Sequence, residues 1–293
     1  MFNSIGIMGR PRDPQALETH QHLVKFISQK GKNVFLDASL KDALSDIDIF
    51  PAETLTKQEM GQQCDLIIVV GGDGNMLGSA REMAPFNIPM IGINRGNLGF
   101  LTDLNPNDFE EQLNKVIDGK YKEEKRALLS AMVVSDGETK AQSLALNETI
   151  VHAEKVAHMI EFEVRIDGAF AFSQRSDGLI LSTPTGSTAY ALSAGGAIMT
   201  PDIDAITLIP MFPHTLSCRP LIIDGSKKVQ IVPLIKDEES VLLSCDGQTE
   251  VSLKAGDVIE IDRFESKVTL VHPDNHCYYK VLREKLGWAS KLF

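Results

Sequence analysis

Leu66-Ile67-Ile68-Val69-Val70-Gly71-Gly72-Asp73-Gly74-Asn75 decides the fold. Five consecutive apolar residues read as a strand covered on both faces, which is the pattern of a parallel sheet. A glycine-rich turn follows at once, and Met76–Met83 then reads as a helix. Open α/β sheets place their ligands outside the carboxyl ends of such strands. Glycines at that point let a phosphate approach the backbone closely. Asp73 stands among them as the one strong acid-base or metal-binding group. The alternative is a tight turn in which Asp73 caps the next helix, since glycine and aspartate both favour that position.

The same strand–helix alternation runs through the first part of the chain. Ser4–Met8 reads as a strand and Pro14–Lys30 as an amphipathic helix ending at Gly31, with Asp13 placed to cap it. Asn33–Leu36 and Pro89–Ile93 read as further strands, and Asn107–Ile117 as a helix. After Arg126 the texture changes. Met159–Ile166 and Ala169–Ser173 alternate around Asp167-Gly168, a strong short-range hairpin signal. Leu221–Ile223 and Lys228–Val232 flank Asp224-Gly225 in the same way, and Val241–Ser244, Thr249–Leu253, Val258–Ile261 and Lys267–Val271 add short strands. Tyr279–Phe293 reads as helical again. The expectation is α/β + β: an N-terminal Rossmann-like parallel α/β domain, then an antiparallel β-rich domain, with a C-terminal helix returning to the first. The expected boundaries are 1–125 with 275–293, and 126–274.

Composition narrows the function classes. The chain has 293 residues, 43% hydrophobic and 24% charged, enough for two ordinary globular cores. Its formal charge of -11 argues against non-specific nucleic-acid binding, which needs many Lys/Arg–phosphate contacts. No apolar run approaches the ~20 residues that span a bilayer, and the start lacks a basic region followed by a long apolar core, so a cytoplasmic protein is expected. Cys64, Cys218, Cys245 and Cys277 are far apart, with no CxxC, and read as reduced, mostly buried thiols. The histidines are read as forming no metal-ligand set with a nearby acid, so no protein-held metal is expected.

The glycine loop is neither of two familiar phosphate motifs. Its third glycine comes one residue late for a dinucleotide fingerprint, and no Gly-Lys-Ser/Thr follows as in a Walker loop. A second segment, Ser182-Thr183-Pro184-Thr185-Gly186-Ser187-Thr188-Ala189-Tyr190-Ala191-Leu192-Ser193, packs hydroxyls and small residues around one tyrosine. Hydroxyls and bare backbone can bond an adenine or a phosphate, and Tyr190 can stack on a base; a Ser/Thr-rich turn capping a short helix is the plainer reading. Asn147-Glu148 could grip ribose hydroxyls, Arg175 could meet a phosphate and Asp177 an amide or hydroxyl. A surface ion pair or turn serves Arg175 and Asp177 equally well. Asp246-Gly247-Gln248 is most simply a hairpin turn.

In this order, the segments resemble the NAD kinase family. The resemblance runs through Gly-Gly-Asp-Gly (71–74), Asn94-Arg95-Gly96-Asn97-Leu98-Gly99-Phe100-Leu101-Thr102, Asn147-Glu148, Ser176-Asp177-Gly178 and Thr183–Tyr190, and it extends to Gly-Trp-Ala-Ser-Lys-Leu-Phe at 287–293. Gly-Gly-Asp-Gly alone is shared with lipid kinases and phosphofructokinases; the hydroxyl loop with Asn-Glu is more specific. Asn75 departs from the Thr or Ser of many relatives. The resemblance implies transfer of the ATP γ-phosphoryl group to the 2′-hydroxyl of the adenosine ribose of NAD, with Mg²⁺ accompanying ATP. It implies Asp73 as the base, and Gly71, Gly72, Gly74 and Asn75 at the ATP phosphates. It implies NAD contacts from Asp73, Gly74, Asn147, Glu148, His158, Arg175, Asp177, Thr188, Ala189, Tyr190, Ala191, Leu192, Ser193 and Gln248, with His158 and Gln248 reaching a neighbouring subunit's nucleotide. A homo-oligomer, commonly a tetramer, is implied as well. The rivals are an NAD-using oxidoreductase, a lipid or sugar kinase, and a non-catalytic nucleotide sensor.

Overall fold

A computed structural model describes residues 2–10, 14–41, 52–95, 99–155, 158–236 and 239–288. Asp13, the motif residues 96–98 and the tail 289–293 lie outside them. The chain divides into two compact units, Met1–Lys125 with Val268–Phe293, and Arg126–Lys267.

The first unit runs β1 (Ser4–Met8), α1 (Pro14–Gln29), β2 (Asn33–Asp37), β3 (Glu53–Leu55), α2 (Lys57–Gln63), β4 (Leu66–Val70), α3 (Asp73–Met83), β5 (Met90–Ile93), α4 (Phe109–Ile117) and β6 (Tyr121–Arg126). The second contains β7 (Leu129–Ser135), β8 (Glu138–Ala145), β9 (Glu148–Ala153), β10 (Ile160–Ile166), β11 (Ala169–Ser176), β12 (Gly178–Ser182), α5 (Tyr190–Ser193), β13 (Ala205–Met211), β14 (Leu221–Asp224), β15 (Val229–Pro233), β16 (Val241–Cys245), β17 (Thr249–Leu253) and β18 (Val258–Arg263). The chain then re-enters the first unit as β19 (Val268–Pro273) and α6 (Tyr278–Leu286).

The first sheet has the order β3-β2-β1-β4-β5-β19-β6. β1 through β5 pair in parallel, and β19 joins β5 in parallel. All five residues of β4 are buried, as its unbroken apolar run requires when helices cover both faces. α1 lays Leu23, Val24 and Ile27 on this sheet, and Phe109 and Leu113 of α4 join the same core. The chain order reverses between β1 and β4, so the crevice at their carboxyl ends is the switch point where such sheets take ligands.

The second unit is built from two six-stranded sheets, β11-β10-β15-β18-β7-β8 and β14-β13-β12-β9-β16-β17. Side chains from both, among them Phe162, Val164, Ile259, Val151, Leu179 and Leu243, form one core. α5 covers the other face of the second sheet, where Ala191 packs on Ile150, Ile180 and Ile209.

Two sequence readings are corrected. Lys267–Val271 was expected in the β-rich domain and at 126–274, but β19 lies between β5 and β6 in the first sheet. All six residues of β19 are buried, including His272, so it needs cover on both faces and not the half-solvated edge of an antiparallel sheet. Asp224-Gly225 does not close a hairpin: β14 pairs with β13 and β15 with β10 and β18, in different sheets. A two-residue hairpin of this kind needs positive φ at both central residues. Asp167-Gly168 has it, at 49° and 79°, whereas Asp224 and Gly225 do not. Asp224 instead accepts the Ser226 N–H at 2.9 Å, and the chain crosses from one sheet to the other. No helix among the described residues is long and apolar enough to cross a membrane.

Candidate functional site

The first unit carries the glycine loop at the end of β4. α3 begins at Asp73 with Gly72 as its N-cap, so Asp73 is the first helical residue and not a loop tip. A carboxylate in the first turn is favoured by the helix dipole, and the amides there are suited to phosphate. The two preceding glycines serve different ends. Gly71 has φ +142°, and a Cβ on it would lie 2.1 Å from Asn75 Nδ2. A Cβ on Gly72 would meet nothing within 4 Å, which leaves room for a ligand against bare backbone.

Asn75, expected at the phosphates, has its amide elsewhere. Its Nδ2 donates to the carbonyls of Arg10 at 3.2 Å and Val70 at 3.1 Å, tying the end of β1 to the end of β4 across the switch point. These two bonds shape the loop.

Asp73 is half-buried and held by the segment that follows β5. Its Oδ2 accepts the Phe100 N–H at 2.8 Å. Its Oδ1 accepts the Leu101 N–H and the Thr102 hydroxyl, each at 3.2 Å. Thr102 was quoted only as part of a motif; nothing in its spacing marked it as a partner of Asp73. Beside the loop, a cavity of about 480 Å³ is lined by Gln15, Asn94, Arg95, Asp103, Asn105 and Asn107, among others. The Arg95 N–H donates to Gly71 O at 3.4 Å, which joins this cavity to the loop.

One group of three metal-capable side chains converges among the described residues: Asp103, His272 and His276, with donor atoms within 4.8 Å of one another, so the reading that no histidine pair stands at metal-ligand spacing near an acid is corrected. The two imidazoles stack with centroids 4.0 Å apart and planes 22° apart. An imidazole binds an ion through a lone pair in its own plane, so two stacked rings cannot both reach one ion without turning. The arrangement suits hydrogen bonding instead. His276 Nδ1 lies 3.2 Å from Asp103 Oδ1, and His272 Nδ1 bonds Oδ2. Burial raises the Asp103 carboxyl, but the two histidines outweigh it and hold the group well below the usual carboxylate range. Asp103 directly follows the Thr102 that holds Asp73.

The second unit carries the other half of the predicted residues. The hydroxyl loop is largely self-supporting. Thr183 Oγ1 donates to Leu146 O at 2.6 Å, Ser187 Oγ to Pro184 O at 2.6 Å, and Thr188 Oγ1 to Thr185 O at 3.3 Å. Thr185 Oγ1 accepts from Arg126 at 3.1 Å. These bonds fix the loop, and Tyr190, 45% exposed at its end, is the large side chain it presents.

Asn147 and Glu148 sit beside this loop. Thr183 N donates to Asn147 O at 2.9 Å, and the Glu148 carboxyl accepts the Tyr190 N–H. Glu148 is buried, with Oε2 unpartnered among the described residues. Burial, and then the charge of Asp246, push its pKa up to about 8. Asp246, read only as a turn residue, accepts three backbone N–H groups at 146–148.

Arg175 and Asp177 are not gathered there. β12 separates Asp177 at its start from Ser182 at its end, where Ser182 pairs with Glu148, a span of roughly 20 Å from Asp177 to Thr183. Arg175 is exposed on β11 opposite Glu161, and His158 is exposed before β10. Gln248 is exposed in the turn after Asp246.

Comparison with known proteins adds the last observation. Residues 5–121 match the ATP-NAD kinase N-terminal domain family, and residues 146–273 the ATP-NAD kinase C-terminal domain family. The chain is 50% identical to proteins named NAD kinase from Photobacterium profundum, over 294 residues, and Shewanella oneidensis, over 292 residues, covering 100% of this chain and 99% of each relative. Its structure is similar to yeast NADH kinase complexed with NADH, with TM-score 0.89, 27% identity, and 99% of this chain and 89% of that one covered. It is also similar to an NAD kinase from Archaeoglobus fulgidus in complex with ATP, with TM-score 0.69, 26% identity and 97% of each chain covered.

Proposed function

The chain belongs to the ATP-NAD kinase family and phosphorylates NAD to NADP, and from that premise we propose that Asp73 is the base that takes the proton of the ribose 2′-hydroxyl. The observation that carries the assignment is the place of Asp73, in the first turn of α3 at the reversal of strand order. A hydroxyl is a weak nucleophile, and a carboxylate within hydrogen-bond reach makes it a better one. Phosphoryl transfer otherwise depends on positioning and charge neutralisation. The open backbone at Gly72 and the α3 amides suit the phosphates of ATP, and the adjoining cavity is the space for its nucleoside.

A divalent cation, Mg²⁺ by the family resemblance, would accompany ATP. Asp73 and the loop carbonyls are oxygen donors of the hard class that such an ion takes. When bound it neutralises charge on the transferring group.

For the acceptor, Asn147 and Glu148 are assigned to ribose and adenine, with Tyr190 stacking on the base beside Thr188, Ala189, Ala191, Leu192 and Ser193. Asp177, with Arg175 nearby, is assigned to the nicotinamide carboxamide, and His158 and Gln248 to the nucleotide of a neighbouring subunit. That reading requires a homo-oligomer, which we take to be a tetramer.

The test is direct. Purified protein is incubated with NAD and MgATP, and NADP is detected with an NADP-specific dehydrogenase. Absence of NADP while NAD still binds would replace the kinase with a nucleotide sensor.

A further inference from the structure

Asp246 and Gly247 turn β16 into β17 with φ of +52° and +62°. A turn of this kind asks only for a residue that tolerates left-handed backbone, and aspartate does. Nothing in the turn requires a charge or burial. Yet Asp246 is only 9% exposed.

Its carboxylate is used about a hundred residues away in sequence. Oδ2 accepts the Leu146 N–H at 2.9 Å, and Oδ1 accepts those of Asn147 at 2.8 Å and Glu148 at 3.2 Å. The Asp246 N–H donates back to Glu148 O at 3.0 Å. Leu146 and Asn147 fall in the break between β8 and β9, where no strand ladder serves them. Buried amides without an acceptor are costly, and an ionised acceptor is the strongest remedy. From the other side, Thr183 binds the carbonyls of Leu146 and Asn147. The backbone at 146–148 is therefore clamped from both directions, and its side chains project from a fixed frame.

We propose that Asp246 is a positioning residue for NAD: its carboxylate fixes the backbone from which Asn147 and Glu148 reach the dinucleotide. This rests on the reading of Asn147-Glu148 as the NAD-holding pair. Asp246 has a second consequence for that pair. Among the described residues it is the charged group facing Glu148, while Tyr190 supplies the N–H facing it. With burial, the Asp246 charge keeps Glu148 protonated at neutral pH, so Glu148 meets the nucleotide as a neutral donor and acceptor.

Asp246→Asn tests the clamp. Asparagine keeps the volume and the left-handed backbone but replaces one acceptor oxygen with an amide that faces N–H groups. The expected result is a rise of about tenfold or more in KM for NAD, the scale of losing an ionised acceptor, with KM for ATP changed less than about twofold. The pH at which KM for NAD begins to rise should fall from near 8 toward acid. Asp246→Gly, which also tolerates the turn, is the second variant should the first fold poorly. Unchanged KM for NAD and an unchanged pH midpoint in the variant that folds would leave Asp246 a turn residue and overturn the proposal. Asn147→Ala and Glu148→Ala are measured in parallel. If both leave KM for NAD unaltered, it is the reading of the pair that fails; if they raise it while the Asp246 variants do not, only the clamp fails.

Discussion

The Phe100 backbone N–H donates to Asp73 Oδ2 at 2.8 Å, so the carboxylate assigned to proton abstraction is oriented by the segment that follows β5. Leu101 and Thr102 complete the set on the other oxygen. Asp73→Asn keeps shape and one acceptor oxygen but cannot take a proton. Turnover should fall by roughly 10²-fold or more, with NAD affinity within about an order of magnitude of the wild type. Single-turnover NADP formation and equilibrium NAD binding separate the two effects. Near-normal turnover would return Asp73 to a structural role.

Gly99 gives a sharper probe of the same geometry. A Cβ there would lie 2.0 Å from Asp73 Oδ1 and 2.5 Å from Thr102 Oγ1. The obstacle is the far end of a side chain and not backbone, so Gly99→Ala should fold and displace the carboxylate. A misplacement near 1 Å can cost as much as about 10²-fold in rate. The expected outcome is kcat lowered at least about tenfold with KM for NAD and thermal stability nearly unchanged. Equal kcat in the two proteins would mean that the orientation of Asp73 seen here does not bear on turnover.

Tyr190 is 45% exposed and presented by α5, so its ring contributes little to the core. Stacking on a flat base is worth on the order of 1 kcal/mol. Tyr190→Ala should therefore raise KM for NAD by roughly fivefold without a loss of stability, while Tyr190→Phe should behave as the wild type. Steady-state kinetics on the three proteins decide it, and an unchanged KM in Tyr190→Ala removes the ring from the adenine pocket.

The fold was legible where the signal is local. The five apolar residues of β4 announce a strand covered on both faces, and that strand is fully buried. Asp167-Gly168 announces a hairpin because its backbone demands are met within two residues. Asp224-Gly225 has the same letters, but which sheet receives the following strand is set by partners far away in sequence. β19 is the same case: its residues resemble their neighbours in the chain, and only the vacancy between β5 and β6 makes them part of the first sheet. At the site, the position of Asp73 could be read from the glycines around it. The acceptors and donors that hold it and Glu148 could not, because Thr102 and Asp246 act over 29 and 98 residues. For the loop at 182–188, composition shows hydroxyls, and only the fold shows that those of Thr183, Ser187 and Thr188 donate to backbone carbonyls.

Asp103 is fastened by His272 and His276, with His272 only 2% exposed. His272→Ala would leave a buried carboxylate short of a partner, at a cost on the order of 3 kcal/mol. The group's pKa is depressed in the fold, against an ordinary 3.8, so its contribution is present above that pH and is lost as pH falls below it. His272→Ala should thus unfold at lower urea at pH 7 and begin acid unfolding at higher pH than the wild type. Coincident urea and acid transitions would show that the cluster contributes nothing to stability.

Glu148 has the opposite sign. Its pKa is raised from 4.5 to about 8 in the fold, by burial first and the Asp246 charge second. Between those values the folded protein holds a proton that the unfolded chain has released, so stability falls as pH rises through the window. The contribution is complete below pH 4.5 and gone once pH passes the folded value near 8. Glu148→Gln keeps the neutral form at every pH. Urea unfolding at pH 6 and pH 9 should show the wild type losing more stability than Glu148→Gln over that interval. Parallel losses in the two proteins would mean that Glu148 is ionised in the fold at pH 6, and the nucleotide would then face a carboxylate instead of a carboxylic acid.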